Sequence, residues 1–196
     1  MLTQEYFLSL EFLGLVSGVL YLLLIIREVK WAWPLAFVTG SAIAYSAFQK
    51  NLYMETALQV YYIVMAVVGW FSWNTKKEVN QTIKIRRWPV KYHIFLISLS
   101  LLCTFLFSYL LDLYTDQSMS FLDSFTTIFS LSITWMVTQK ILENWIYWLV
   151  INSLNIYLMY MNDMKWMTIL AVIYTLMSIQ GLITWYKKYK EEQYEV

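Results

Sequence analysis

Charge is scarce in this sequence. Asp, Glu, Lys and Arg make up 14% of its 196 residues, where soluble domains carry about 25%. Hydrophobic residues reach 60%, with a mean hydropathy of +0.52, more apolar surface than a soluble core hides. The apolar residues run in blocks close to the roughly 20 that a helix needs to cross the hydrocarbon of a bilayer. Transmembrane barrels would instead alternate over segments of about 10 residues. Continuous runs point to helices, which satisfy their own backbone groups in lipid. The expected fold class is an all-α integral membrane protein.

Other shortages exclude function classes. Five glycines and two prolines leave the helices largely uninterrupted. The single cysteine, Cys103, permits no intramolecular disulfide and reads as a packing residue. His93 is the only histidine and falls beside a basic loop, where an interfacial or capping role is expected. There is no metal-ligand cluster, Gly-rich phosphate loop or serine elbow, so the chain is read as no enzyme, with neither metal nor cofactor. A net charge of +1 speaks against a nucleic-acid partner, which needs clustered Lys and Arg. The start of the chain has no basic region followed by a cleavage site, so its first apolar segment reads as a retained span.

Aromatic residues are plentiful, with ten Trp and sixteen Tyr, enough for the interfacial belts and for lining a ligand site. Seven spans are expected: Tyr6 to Ile26, Trp33 to Phe48, Glu55 to Trp73, Tyr92 to Leu113, Leu122 to Thr138, Trp145 to Met161 and Trp166 to Tyr186. Most connections are short, so consecutive helices should be antiparallel neighbours. Twelve of the fourteen Lys and Arg residues fall on one side of that arrangement. Only Lys50 and Lys165 fall on the other. Basic residues near span ends stay in the cytoplasm, so the N-terminus is expected outside and the C-terminus inside.

A weak internal repeat supports the odd span number. Trp31 with Leu35 matches Trp145 with Leu149, and Tyr53 matches Trp166. Tyr62 matches Tyr174, Gly69 matches Gly181, and Trp73 matches Trp185. The single domain 1–196 then divides into repeat one over 6–73, a linker helix over 92–113 and repeat two over 122–186. With one helix between them the repeats share an orientation, and in repeat-built transporters the substrate lies near the midplane between units.

The third and sixth helices are therefore the places to look. In the sixth, Trp145, Trp148, Asn152 and Asn155 share a helical face. Indole walls with amide donors and acceptors suit a planar, hydrogen-bonding ligand. The alternative is that the asparagines join helices and Trp145 anchors the interface; the stripe as a set favours a binding wall. In the third, Gln59, Tyr62, Ala66, Gly69, Trp70 and Trp73 recur at helical spacing. Gln59 needs a partner in hydrocarbon, which a ligand can supply, whereas Trp73 is assigned to the cytoplasmic belt. Gln180, Ser41 and Tyr45 are weaker candidates, and Gln139 to Asn144 could line an exit or gate. The acidic residues Glu11, Glu55, Asp112, Asp116 and Asp123 fall near span ends, which favours passive, uncoupled transport.

Two segments carry a resemblance. The third helix, L-Q-V-Y-Y-I-V-M-A-V-V-G-W-F-S-W, and the start of the sixth, E-N-W-I-Y-W-L-V-I-N, resemble the PnuC family of bacterial vitamin transporters. E-F-L-G-L-V-S-G, K-N-L-Y and F-L-D-S-F-T-T are similar to it in the same order. The resemblance implies a SWEET-like 3+1+3 fold in the bacterial inner membrane, assembled as a homotrimer in lipid. It implies facilitated diffusion of nicotinamide riboside, trapped inside by phosphorylation. It carries substrate contact onto Gln59, Tyr62, Asn144, Trp148, Asn152 and Asn155, and leaves Glu143 and Trp145 as structural candidates. Thiamine and riboflavin, also flat aromatic vitamins, stay open as substrates, as does a non-transporting membrane assembly subunit.

Overall fold

A computed structural model describes residues 16–49, 53–74, 84–114, 120–161 and 165–194. Seven helices fill most of these residues. They are α1 (Val16–Ile26), α2 (Ala32–Gln49), α3 (Tyr53–Asn74), α4 (Val90–Tyr114), α5 (Ser120–Thr138), α6 (Asn144–Met161) and α7 (Lys165–Tyr194). The fold is all-α. Observed ends agree with the expected spans to within two residues, with two exceptions. The expected start of α1, with Glu11 and most of E-F-L-G-L-V-S-G, lies outside the described residues, as do Lys50 and Asp116. At the other end α7 continues past Tyr186 to Tyr194. Hydropathy misses this extension because it is polar, yet Lys, Glu and Gln are good helix formers, and Gln193 Nε2 donates to Tyr189 Oη one turn back at 2.9 Å.

Among the described residues, three segments are long and apolar enough to cross a membrane: Thr56–Asn74, Val90–Tyr114 and Thr168–Tyr194. The other expected spans are shorter or more diluted with polar and small residues. In α5 the buried Ser120, Ser124, Thr126, Ser130, Thr134 and Thr138 replace hydrocarbon. Several mask their polarity on their own helix: Ser130 Oγ donates to the Thr126 carbonyl at 2.7 Å and Thr134 Oγ1 to the Ser130 carbonyl at 2.8 Å. Such bonds let a hydroxyl-rich helix shed water.

The chain forms two compact units, Met1–Lys84 and Ile85–Val196. In the first, α2 packs along α3; in the second, α4 packs on α5, α5 on α6 and α6 on α7. Helix α4 meets α5 through small hydroxyls, with Ser100, Thr104 and Ser108 buried and Ser100 Oγ 3.1 Å from Ser132 Oγ. Cys103 is half-buried and unpaired.

The same local geometry occurs in both units, 112 residues apart. Helix α1 ends with Glu28 in the left-handed region (φ 54°), and α5 with Lys140 (φ 51°). Around each, the backbone closes a Schellman motif. Val29 N donates to the Leu24 carbonyl and Glu28 N to the Ile25 carbonyl, both at 2.9 Å; Ile141 N donates to Met136 and Lys140 N to Val137, both at 3.0 Å. Five residues beyond each turn stands a buried tryptophan, Trp33 or Trp145. Trp33 lies against Gly69 and meets Trp73 edge-on at 5.3 Å and 88°; Trp145 lies against Gly181 and meets Trp185 at 5.4 Å and 87°. The partner of Trp145 is thus Trp33 rather than Trp31, which is 61% exposed. Trp73, expected in the interfacial belt, is instead buried, because Gly69 one turn back opens a seat for Trp33 that Trp73 closes from the side.

A methyl group at Gly69 would stand 2.3 Å from the Trp33 ring, and one at Gly181 would stand 2.5 Å from the Trp145 ring. Neither indole is free to move in its buried seat. Gly69→Ala and Gly181→Ala should each cost about 1–3 kcal/mol of stability, read as a lower melting temperature of the purified protein. Gly40→Ala should cost less than either, since its methyl would meet the flexible Ile63 side chain at 3.0 Å.

Candidate functional site

In the first unit the candidates are Gln59 and Tyr62 on α3. Val60, Val64, Val67 and Phe71 expose one side of this helix, while Gln59, Ala66 and Trp73 are buried on another. Helix α2 comes close at Gly40, where a Cβ would lie 3.6 Å from the Gln59 carbonyl oxygen. Tyr62 is half-buried, its ring edge-on to Tyr61 at 5.9 Å. At the Schellman end of the same unit, Lys30 Nζ donates to Asn74 Oδ1 at 2.8 Å and lies 5.5 Å above the Trp70 ring.

In the second unit the candidates lie on α6, and the structure divides its aromatic and amide stripe. At about 100° per residue, Trp145 and Asn152 point the same way, and both engage α7. Trp145 is fully buried against Gly181 and Trp185, and so is neither a belt residue nor part of an open wall. Asn152 Nδ2 donates to Ser178 Oγ at 3.2 Å, and Ser178 Oγ donates to the Tyr174 carbonyl at 2.8 Å. Asn152 therefore joins helices. Tyr147 and Ile151 point to the other flank, into a cluster of Leu96, Phe129, Ile133, Met136 and Ile141 from α4, α5 and the turn. Trp148 and Asn155 lie on the arc between these flanks. Trp148 packs against the cluster, and both are half-buried. Among the described residues α5 and α7 do not pack on each other, so the arc lies between the two helices that flank α6. It carries an indole and an amide two turns apart.

Asn144 begins α6 and is fully buried. Its Nδ2 donates to the Ile141 carbonyl, and its Oδ1 has no hydrogen-bond partner among the described residues. An unmet buried acceptor costs about 1–3 kcal/mol, which a donor group on a ligand would recover. Glu143, beside it, is buried and accepts from Arg87 Nε at 2.7 Å and from the Trp88 backbone N–H at 3.3 Å. That carboxylate pushes the Arg87 guanidinium above its ordinary pKa, by the hydrogen bond first and by its charge second.

The two units differ where the candidates stand. Opposite Asn144, Trp148, Asn152 and Asn155 the first unit has Ala32, Ala36, Gly40 and Ile43; opposite Gln59 the second has Ala171. Gly40 lets backbones approach, and at the matching place Asn152 reaches across to Ser178, whose own counterpart is Ala66.

The family model described as nicotinamide mononucleotide transporter matches residues 8–187. The chain belongs to that family. It is a membrane transporter family, the PnuC family to which the motifs of α3 and α6 pointed. The chain is 22% identical to the nicotinamide riboside transporter PnuC of Escherichia coli strain K12, over 93% of its own length and 87% of that protein's. It is 21% identical to the riboflavin/roseoflavin transporter RibM of Streptomyces davaonensis, over 97% and 91% of the two chains. Its fold is that of a crystal structure of the vitamin B3 transporter PnuC, with a TM-score of 0.75 and 21% identity over 93% of this chain and 83% of the other.

Several residues of this PnuC-family chain escaped sequence reading. His93 Nδ1 lies 2.9 Å from Tyr147 Oη, with the two rings stacked at 5.8 Å, so it fastens α4 to α6 rather than capping α4. Ser178 showed no signal beyond its helical position. Arg86 and Arg87 registered only as positive charge. Of the weaker candidates, Ser41 donates to the Phe37 carbonyl, and Tyr45 and Gln180 are exposed.

Because Asn152 and Ser178 share one hydrogen bond, Asn152→Ala and Ser178→Ala should not be additive. A double-mutant cycle on unfolding should give a coupling of about 0.6 kcal/mol, the average for such bonds in membrane proteins.

Proposed function

We propose that this protein carries nicotinamide riboside across the bacterial inner membrane by facilitated diffusion, with phosphorylation inside the cell trapping the substrate. The observation that carries this reading is the half-buried arc of α6 between its α5 and α7 flanks. There Trp148 offers a ring face to a flat cation and Asn155 an amide to its hydrogen-bonding edge. The unmet acceptor of Asn144 is assigned to the same substrate, whose carboxamide both donates and accepts, and Gln59 and Tyr62 are kept as substrate contacts on the resemblance of α3 alone. Asn152 supports the wall from behind through Ser178. Resemblance to a nicotinamide riboside transporter supports the vitamin, and membership in a transporter family supports the activity.

The matching turns and tryptophan seats at a spacing of 112 residues support a SWEET-like 3+1+3 parallel repeat, of which α4 is the linker. The charge asymmetry supports an N-terminus outside and a C-terminus inside. Uncoupled transport agrees with the position of Asp112 and Asp123 at helix ends. A homotrimer in lipid completes the assembly we envisage. The similarity to RibM supports riboflavin as a rival substrate beside thiamine.

Titration calorimetry on the purified protein with nicotinamide riboside, riboflavin and thiamine tests the reading. Nicotinamide riboside should bind, and Trp148→Ala, Asn155→Ala and Gln59→Ala should each weaken it about tenfold, or roughly 1.4 kcal/mol. Riboflavin binding alone would move the protein to the other branch. Failure of all three would remove the transport reading. Uptake into proteoliposomes should be unaffected by an uncoupler. A thiol introduced at Gln193 should react with an impermeant reagent only after cells are opened.

A further inference from the structure

Residues 85–93 form a strap over the turn between α5 and α6. Arg86 runs beside Ile141 as a short parallel bridge, its N–H donating to the Lys140 carbonyl at 3.1 Å and its carbonyl accepting from Leu142 N at 2.9 Å. Its guanidinium donates to the Gln139 carbonyl at 3.3 Å and to Gln139 Oε1 at 3.0 Å. Arg87 and the Trp88 N–H together hold the Glu143 carboxylate. Ile85 is buried, and Trp88 packs against the core cluster and stands 5.8 Å from His93, which bonds Tyr147 one turn into α6. Gln139 and Glu143 are thus gripped by arginine side chains, Lys140 and Leu142 are held through their backbones by Arg86, and Ile141 is held in the core.

Among the described residues, a strap of this kind covers the second turn and not the first. The corresponding turn of the first unit has the same backbone bonds. In the place of Glu143, however, it carries Trp31, which is 61% exposed. The strapped turn is the one that leads into Asn144, Trp148 and Asn155. A carboxylate whose side chain is 10% exposed and which receives two charge-assisted bonds is a rigid anchor. It sits on the residue immediately before α6 begins, where it fixes both the height and the rotation of the first turns.

We propose that Glu143, acting through Arg87 and Trp88, is a positioning residue that sets the angle at which α6 presents Trp148 to the substrate. This rests on α6 being the substrate wall. The strap makes the segment Gln139 to Asn144 a held element, whose release would turn the indole away from the ligand.

Two measurements test this on the full-length protein. In calorimetry with nicotinamide riboside, Glu143→Gln and Arg87→Ala should raise Kd about tenfold while the stoichiometry per protomer stays unchanged, and Arg87→Lys should restore most of the affinity. A purely structural anchor would lower the melting temperature or the stoichiometry and leave Kd as it was. The second measurement needs no ligand. In a Cys103→Ser background, Trp148→Cys should react with a small maleimide at least threefold faster when Glu143→Gln or Arg87→Ala is added, and Gln193→Cys should keep its rate. Unchanged labelling at position 148 together with unchanged Kd overturns the proposal. If the wild type binds no vitamin, the transport reading falls, and the labelling ratio by itself still decides whether Glu143 positions α6.

Discussion

An indole seated on a glycine organises each half of this protein. Helices in lipid gain little from burying apolar side chains against one another, since lipid tails are as apolar as leucine; they associate by close packing instead. Gly69 and Gly181 let a whole tryptophan ring settle onto the backbone of the neighbouring helix, and Trp73 and Trp185 close the seat edge-on. Edge-to-face indoles are favoured by their quadrupoles by about 0.5–1.5 kcal/mol beyond burial. Each seat fixes which faces of α2 and α3, or of α6 and α7, meet, and leaves the finer angle of the first turn of α6 to the Glu143 anchor. The positions of Gln59 on α3 and of Trp148 and Asn155 on α6 follow from the seats.

Scaffold and chemistry are carried by different positions. The turns, the tryptophan seats and the tyrosines at 62 and 174 match between the units. The amides and the second indole of α6 correspond to alanine, glycine and isoleucine in the first unit, and Gln59 of α3 corresponds to Ala171 in the second. What the units share is therefore packing, and what they do not share is polar. This division also separates the asparagines of α6: Asn152 holds α7 through Ser178, while Asn155 stays half-buried between the flanks of the helix.

Much of this was legible in the sequence. Apolar block length gave seven helices, with ends correct to about two residues except at the start of α1, which lies outside the described residues, and at the end of α7, because lipid imposes both the length and the internal hydrogen bonding of a span. The motifs of α3 and α6 led to the family. Hydropathy could not see the polar end of α7, and it treated as equivalent spans helices that differ in hydroxyl content. Helical spacing placed Trp145, Trp148, Asn152 and Asn155 on one face, but that face is wide enough to touch two neighbours. Only packing tells which edge meets α7 and which meets α5. The strap was beyond reach for another reason: Arg87 and Glu143 are 56 residues apart, and charge placement alone reads an arginine near a span end as a topology signal.

The two left-handed turns show how little a bend depends on the residue that makes it. An ordinary side chain in that conformation costs about 1–2 kcal/mol, and glycine would remove the strain. Yet the positions hold Glu28 and Lys140, of opposite charge. Each bend is held by two backbone hydrogen bonds, whatever the electrostatics of the side chain on it. Residues beyond such a turn can therefore differ in identity without differing in where they stand, and the same bend leads to an anchored carboxylate in one unit and to an exposed indole in the other.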